Sequence, residues 1–573
     1  MNNNLFIFRT AVVATCLLSF TGVKLFSADA DYQLSDDGKT LVKYTGNAET
    51  FAIPEGVTNV GDFAFLERQS LRSVVVPESV EEIGEGAFGG CSSLTAIDIG
   101  EGVVRIGRIA FANCSSLTAI EVPASVKEIG VGTFIECPSL KSIDVAESNS
   151  QYCSIDGVLF SKDRKTVVKY PEGRKDESYR VPEGTTIIGN GAFDSCSSLT
   201  SIDVPKGVTK IDDYAFFRCP SLTSIVLPEG VAEIGEGAFG ACSSLTSIVL
   251  PEGATRIGDH GFRECSSLTS IVLPESVKEI GECAFIGCSS LKSIVVPEGV
   301  EIIERLAFSS CTALESLSVP SSVKAIGEDA FLWNFSLKSI FVAKDNRAYS
   351  SVDGVLFSKD GKTLVKYPGG IDVNCYVVPE SVCEIGDGAF AQSSSLNSIV
   401  LSKNVGKIGY NAFFYCASLK SISIPESVRE IGTGAFSYCG SLTSIDVADN
   451  NPAYCSVDGI LYSKDGKSLI KAPEGKKREA YAVPNDVEII GVHAFGLCSS
   501  LKSIDFPESM KEIGECAFEG CSSLKSIAVP TSVEKIGDAA FEGCSSSLTL
   551  RVSKSSYAEK YAKEKNINVE TVE

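Results

Sequence analysis

The chain has 573 residues, 44% of them hydrophobic, and a formal net charge of −22. This acidity disfavours nucleic acid and anionic membranes as partners, because both select a basic surface. The length would ordinarily indicate several globular domains, but a short internal repeat favours one repetitive array instead.

Residues 1–30 have the features of a secretory signal peptide with cleavage near Ala30. The positive charge, the short apolar run and the small-residue cleavage site lie at Arg9, Ala11–Phe20 and Ala28-Asp29-Ala30. Because no later segment has ~20 consecutive apolar residues, we predict a secreted or cell-surface protein without a transmembrane segment. Lipid attachment at Cys16 is the alternative, which the preceding Thr15 disfavours.

The two ends of the mature chain differ from its middle. Residues 31–50 are predicted to form an N-terminal hairpin cap with its turn at Asp37-Gly38. Residues 546–573 are predicted to form a C-terminal cap, with a helix near Ser555–Lys565 and a strand near Ile567–Val572. Caps of this kind protect the open sheet edges of a repeat array.

A 23-residue unit repeats through residues 51–545, and Ser221–Ser243 is one copy. One unit cannot bury its apolar face without a neighbour, so the repeat predicts a solenoid. The Phe of an Ala-Phe pair marks each copy, and its steps are 23 residues except for three of 59. It recurs at positions 65, 88, 111, 134, 193, 216, 239, 262, 285, 308, 331, 390, 413, 436, 495, 518 and 541.

Each unit predicts a strand, a second short extended segment and a helical turn. Ile225 and Leu227 alternate with polar or outward residues, which is the period of a strand, and Pro228 ends it. Val231–Ile234 forms the second segment, and Glu236–Ala241 is long enough for one helical turn. Stacked units give a β-rich solenoid of 23-residue coils with a parallel sheet on one face.

The three longer steps each add 36 residues, near residues 146–181, 343–378 and 448–483. Asp360-Gly361 and Asp465-Gly466 lie between alternating apolar runs and predict a hairpin in the second and third inserts. Asp163-Arg164 occupies the same place in the first insert and is a weaker turn signal.

The unit follows the pattern L-x-x-I-x-[VL]-P-x-x-V-x-x-I-G-x-x-A-F-x-x-C-x-x. It resembles the BspA-like, or Treponema-type, leucine-rich repeat, over nearly all of residues 32–573. The resemblance implies a leucine-rich repeat fold and a surface protein that binds host extracellular matrix proteins or promotes aggregation between cells. It implies no catalytic residues.

Fourteen of the 21 cysteines lie three residues after the repeat Phe, at 91, 114, 137, 196, 219, 242, 265, 288, 311, 416, 439, 498, 521 and 544. A constant repeat position predicts one stacked column of buried free thiols, which act as small hydrophobes. Scattered oxidation or pairing and a column of metal ions are the alternatives. The sequence contains no CxxC spacing of the kind that would indicate a metal site.

The sequence contains no catalytic motif that we recognise. Its two histidines, His260 and His493, both lie two residues before a repeat Phe and are separated by ten coils, so they cannot share a site. Cys283 and Cys516 occupy that same position, which we interpret as tolerant of substitution. We therefore predict no enzyme activity, no cofactor and no metal site.

The residue between the two inward side chains of each strand points outward. In the middle of the array this residue is Val226, Val249, Val272 and Val295, with acidic residues in the coils before and after. Thr223, Thr246, Thr269 and Lys292 run beside them. These eight residues form the predicted ligand patch, because a contiguous exposed apolar stripe often marks an interaction site. Ordinary strand propensity of valine and threonine is the alternative explanation.

These features favour an exported, non-enzymatic scaffold that binds a protein partner. The expected partner is a host matrix component or another cell's surface. A structural or self-assembling component of the cell envelope is the alternative.

Overall fold

A computed structural model describes residues 31–572, so the predicted signal peptide at residues 1–30 lies outside the described part. The chain divides into two compact units, residues 1–245 and 246–573. They are described separately below.

Each coil has two parallel pairing faces. A long strand such as Ser224–Val226 places Ile225 inward, 3% exposed, and pairs in register with the strand one coil earlier. A two-residue strand such as Glu233–Ile234 forms a second ladder on another side of the coil. Residues at the same repeat position therefore pair with each other in consecutive coils, because the repeat length is constant.

The segment around the repeat Phe is a run of hydrogen-bonded turns and not the helical turn that the sequence predicts. Residues two before and two after the Phe adopt left-handed backbone, as at Tyr214 (φ 55°) and Arg218 (φ 53°). The N–H groups of Tyr214, Phe216 and Arg218 donate to carbonyls of the next coil at 2.7–2.8 Å. Because left-handed residues alternate with right-handed ones, every second N–H group of this segment points along the stack and bonds to the next coil. In a helix the same groups would bond to carbonyls within their own segment.

In the first unit, long strands pair with long strands and short strands with short strands. The long strands are Thr50–Ala52, Ser73–Val76, Ala96–Ile99, Ala119–Val122, Ser142–Val145, Ser178–Arg180, Ser201–Asp203 and Ser224–Val226. The short strands are Asn59–Val60, Glu82–Ile83, Arg105–Ile106, Glu128–Ile129, Ile187–Ile188, Lys210–Ile211 and Glu233–Ile234. The terminal hairpin and the first insert contribute Tyr32–Leu34, Thr40–Tyr44, Tyr152–Ile155, Val158–Ser161 and Thr166–Lys169.

The second unit repeats this arrangement. Its long strands are Ser247–Val249, Ser293–Val295, Ser316–Val319, Ser339–Val342, Cys375–Val377, Ser398–Val400, Ser421–Ile424, Ser444–Val447, Ala480–Ala482, Ser503–Asp505, Ser526–Val529, Thr549–Ser553 and Asn568–Val572. Its short strands are Arg256–Ile257, Glu279–Ile280, Ile302–Ile303, Ala325–Ile326, Glu384–Ile385, Lys407–Ile408, Glu430–Ile431, Ile489–Ile490, Glu512–Ile513 and Lys535–Ile536. The two inserts contribute Tyr349–Val352, Val355–Ser358, Thr363–Lys366, Tyr454–Val457, Ile460–Ser463 and Ser468–Lys471.

The core of each unit contains stacked phenylalanines. Phe88 and Phe111 lie 5.4 Å apart with rings 5° from parallel, and Phe285 and Phe308 repeat this geometry in the second unit. Offset stacking of this kind adds to the free energy gained by burying the rings. The repeat Phe is thus the spine of the core, as its spacing predicts.

Each insert ends one short-strand sheet and begins another. In the first insert the Tyr152 hydroxyl accepts the N–H of Ile129 at 3.0 Å, where a further strand would otherwise pair. Tyr349 and Tyr454 do the same for Ile326 and Ile431 in the other two inserts. The last insert strand then pairs in parallel with the next short strand, which starts the new sheet.

The hairpin turn forms in all three inserts, including the first with its weak signal. The residue after the turn Asp has φ 69° at Gly361 and φ 73° at Gly466, and Arg164 takes the same conformation at φ 60°. The Asp163 carboxylate accepts from the Ser161 hydroxyl and the Lys165 N–H, which stabilises the turn despite the non-glycine residue.

Each insert also buries one lysine at the end of its third strand. Lys169 pairs with Glu172 at 3.2 Å, and Lys471 pairs with Glu474 at 3.0 Å. Lys366 has Gly369 where the others have glutamate, and its ammonium donates only to the carbonyls of Gly388 and Ala391. Lys169 makes the equivalent carbonyl contacts in addition to its ion pair.

The chain ends with the helix Tyr557–Glu564 and the strand Asn568–Val572. The Ser556 hydroxyl accepts the Glu559 N–H at the helix start, and Tyr561 is buried against the core. The final strand pairs in parallel with Thr549–Ser553.

Candidate functional site

The outward residues of the long strands form a column of exposed valines in the second unit. Val249, Val272 and Val295 are 64%, 76% and 71% exposed, while the neighbouring Ile248 and Ile294 are buried. Parallel bridges join Val249 to Val272 and Val272 to Val295, so the three side chains lie in register on consecutive coils. We call these three residues the valine column.

Three polar residues run beside the valine column. Thr246, Thr269 and Lys292 are all exposed. The Thr269 hydroxyl donates to the Thr246 carbonyl at 3.3 Å, so it is held against the main chain of the preceding coil. The surface therefore presents methyl groups from both valine and threonine, with an ammonium group at one end.

The uncharged surface extends further than the predicted patch. Ser318 pairs in register with Val295, and Phe341 pairs with Ser318. Phe341 is 57% exposed. Five consecutive coils, from Val249 to Phe341, thus carry no outward charge in this column.

Two members of the predicted patch, Val226 and Thr223, lie in the first unit. Val226 is 70% exposed and pairs in register with Asp203. The Thr223 hydroxyl donates to the Thr200 carbonyl at 3.1 Å. Both side chains are exposed, as their repeat position predicts.

One exposed valine, Val377, is not among the outward residues that the repeat pattern predicts, although its partner Val400 is. Val377 lies in the long strand that follows the second insert, pairs in register with Val400, and is 64% exposed. The signal was present, because Tyr376-Val377-Val378-Pro379 has the strand-proline spacing of the repeat. The insert obscures this spacing, because it interrupts the 23-residue period.

Acidic residues occupy the same outward position in the first unit. Asp98, Glu121 and Asp144 point outward from three consecutive coils, and Val75 holds the position in the coil before them. The long-strand face therefore changes from acidic in this region to uncharged around the valine column.

The cysteine column is a structural element of the core. Twelve of its 14 members are buried, and Cys498 and Cys544 are half-buried. The Sγ–H of Cys114 donates to the Phe88 carbonyl, 26 residues earlier, at 3.2 Å, and ten other members make the same contact. Burial raises the pKa of the Cys311 thiol to about 12. This thiol therefore stays protonated at neutral pH and is a poor nucleophile.

The histidine position has a left-handed backbone that the sequence does not reveal. His260 and His493 have φ 57° and 53°, in the left-handed region that favours glycine. Other coils place Gly86 and Gly237 there. Phe63, Ile109 and Leu306 take the same conformation in other coils, so the position accepts side chains of many kinds.

The fold and its repeated core define a leucine-rich repeat protein. A family model described as the BspA-type leucine-rich repeat region matches residues 38–164, 173–288, 255–359, 370–455 and 474–573. The chain belongs to this family, as the sequence pattern predicted. None of the curated proteins matches the chain significantly.

Solved bacterial leucine-rich repeat proteins are similar to this chain. One from Eubacterium ventriosum is 24% identical over 57% of this chain and 83% of its own, with a TM-score of 0.44. A leucine-rich cell surface protein from Faecalibacterium prausnitzii is 24% identical over 96% of this chain and 100% of its own, with a TM-score of 0.29. The pneumococcal vaccine antigen PcpA is 21% identical over 74% of this chain and 96% of its own, with a TM-score of 0.39.

In residues 31–572, no helix has the length and apolar character needed to cross a membrane.

Proposed function

We propose that the protein is an exported, cell-surface scaffold that binds a protein partner through the valine column and the residues beside it. The observation that carries the proposal is the register of Val249, Val272 and Val295, whose exposed side chains stack on consecutive coils. Contiguous apolar surface of this kind is rare on soluble proteins unless it is covered by a partner.

The chemistry of the column favours a protein partner. Its outward residues are uncharged from Val249 to Phe341, and the protein as a whole has a formal net charge of −22. Apolar contact would supply the affinity, because burying apolar surface is the main favourable term in association. The acidic coils of the first unit would repel anionic surfaces and favour partners with basic regions.

The role we propose is adhesion to host extracellular matrix proteins or to another cell's surface. The family assignment supports a surface location, and the signal-like residues 1–30 support export. Binding without catalysis agrees with a site that is a flat, repeated sheet face.

The test is the double variant Val249→Lys with Val272→Lys, assayed for binding to a panel of immobilised extracellular-matrix proteins. We expect binding to fall at least about 100-fold, because two central apolar contacts are replaced by charges. The thermal unfolding transition should not change, since both side chains point to solvent.

The matched control is Val377→Lys with Val400→Lys, which introduces the same charges at the same strand position outside the column. It should bind like the unmodified protein. Equal binding by the column variant, or equal loss in both variants, contradicts the proposal. Light scattering at increasing concentration separates binding from self-assembly, which would instead appear as growth into filaments.

A further inference from the structure

Three potential metal ligands meet on neighbouring coils near the third insert. His493 and Cys516 occupy the same repeat position in consecutive coils, and Glu519 lies three residues after Cys516. The ligand atoms of all three lie within 4.8 Å of one another. The His493 Nδ1 and Glu519 Oε2 atoms are 3.3 Å apart.

This spacing matches one edge of a tetrahedral metal site. With bonds of about 2.0–2.3 Å, neighbouring ligand atoms around Zn²⁺ lie about 3.3–3.8 Å apart. The histidine and the carboxylate are already at this distance, and the cysteine sulfur lies within 4.8 Å of both. All three side chains are partly exposed, which leaves an entry path for an ion.

The surroundings favour a cation. Beside Glu519, the carboxylates of Glu515 and Glu542 lie close enough to the Cys516 thiol to act on it electrostatically. The buried Lys471 ammonium donates to the His493 carbonyl and is already paired with Glu474. A bound metal would relieve this excess of negative charge and deprotonate the thiol.

A neighbouring side chain orients the carboxylate. The Tyr438 hydroxyl donates to Glu519 Oε1 at 2.9 Å, which leaves Oε2 directed at His493. Hydrogen bonds from outside the ligand set commonly fix metal-binding carboxylates in this way.

The chain contains a natural comparison for this cluster. His260 and Cys283 are also a histidine and a cysteine at the same repeat position in consecutive coils. Ile286 stands there in place of Glu519. The Cys283 thiol has the carboxylates of Glu282 and Asp259 near it, but also the guanidinium groups of Arg305 and Arg263. That pair therefore lacks the third ligand and has two cations beside its thiol.

We propose that His493, Cys516 and Glu519 bind a divalent transition-metal ion of the Zn²⁺ class, with a fourth coordination position open to water. Imidazole, thiolate and carboxylate together suit Zn²⁺ better than Mg²⁺ or Ca²⁺, which prefer oxygen ligands alone. Because the ligands come from two coils, the ion cross-links consecutive turns of the solenoid.

The experiment is a Co²⁺ titration of the full, reduced, metal-free chain. We expect the thiolate-to-cobalt absorption band and the visible bands of a tetrahedral site to saturate at one equivalent and to disappear when Zn²⁺ is added. Cys516→Ser and Glu519→Gln should weaken binding at least about 100-fold, and Tyr438→Phe about 10-fold.

Cys283→Ser is the matched control and should leave the titration unchanged. Circular dichroism melting of each variant shows that the fold is retained, and Glu519→Gln tests the site without removing a thiol. The proposal is overturned if no saturable band appears, if the band survives Cys516→Ser, or if Cys283→Ser removes it.

Discussion

The first and third inserts bury a lysine beside a glutamate, whereas the second insert buries the same lysine with a glycine in the glutamate's place. In the third insert the Glu474 carboxylate accepts from both the Lys471 ammonium and the Tyr438 N–H. In the second insert the Gln392 side chain accepts the corresponding N–H, from Trp333, and Lys366 bonds only to carbonyls. The same backbone thus holds a buried lysine either beside a carboxylate or with carbonyl oxygens alone.

The difference appears in the pKa values of Lys366 and Lys169. Burial lowers the pKa of Lys366 from its ordinary 10.5 to about 8, and Asp329 offsets this only in part. Burial acts on Lys169 in the same direction, but the carboxylates of Glu172 and Asp194 outweigh it and raise the pKa above its ordinary value. A buried charge is tolerated when a partner compensates for lost hydration.

Removing the glutamate from a paired insert should have the largest effect. We expect Glu474→Leu to lower the free energy of unfolding by about 3–5 kcal/mol, because Lys471 is left buried without its carboxylate. Urea unfolding measures this loss, and hydrogen exchange locates it in the coils beside the third insert. Glu508→Gln, an exposed glutamate nearby, should change stability by less than about 0.5 kcal/mol. A similar small change for Glu474→Leu would contradict the comparison.

The unpaired lysine should give the second-largest effect, visible as pH dependence. Between pH 8 and 10.5 the unfolded chain keeps a proton on Lys366 that the folded chain has released. The unfolded state binds more protons in this window, so folded-state stability rises with pH. Relative to Lys366→Met, the unmodified protein should gain roughly 3 kcal/mol across it. Parallel stability curves for the two proteins would show that Lys366 titrates normally.

Copying the first insert into the second should abolish this pH dependence. Gly369→Glu with Gln392→Ser supplies the missing carboxylate and the small residue found at Ser195. We expect about 2 kcal/mol of added stability at pH 7 from the charge-assisted hydrogen bond. Urea unfolding at pH 7 and pH 10 checks both effects. A less stable double variant would indicate that the close approach of position 369 to the Gln392 carbonyl decides the outcome.

The smallest effect should come from the hairpin turns of the same inserts. Arg164 has φ 60°, where the other two inserts have Gly361 and Gly466. Arg164→Gly should raise the melting temperature slightly, by relieving about 1 kcal/mol of left-handed backbone strain. Gly361→Arg should lower stability by a similar amount, since only the Ser381 hydroxyl lies within 4 Å of the added Cβ. Shifts of the same sign would exclude backbone strain as the cause.

Much of the fold was predictable because a constant period fixes the register. Ile211 pairs with Ile234, and the Phe and Cys positions form continuous files, because each coil has the length of the last. The inserts were predictable in place and in hairpin content. Their electrostatics were not, because one exchange of glutamate for glycine at position 369 is visible only once burial of Lys366 is known.

One feature was misread and one pair of neighbouring residues was overlooked, each for a physical reason. The spacing around the repeat Phe fits a helical turn. The left-handed positions cannot be recognised from the sequence when a residue such as Tyr214 or His260 occupies them in place of glycine. His493 and Cys516 were interpreted as a tolerant position. The logic that stacks the cysteine column should have placed those two residues side by side, because they also share one repeat position in consecutive coils.

The tyrosine hydroxyls of the inserts have a mechanical consequence. Tyr349 and Tyr454 each close a short-strand sheet with one hydroxyl hydrogen bond. The buried amides of Asn346 and Asn451 add bonds to the carbonyls of Val323 and Val428. Side chains thus replace the main-chain ladder at these seams, so the second unit should separate there first when it is stretched. Under tension from fluid flow, this unit should extend in discrete steps as successive blocks of coils unfold. Each step would dissipate part of the applied force while the remaining blocks stay folded.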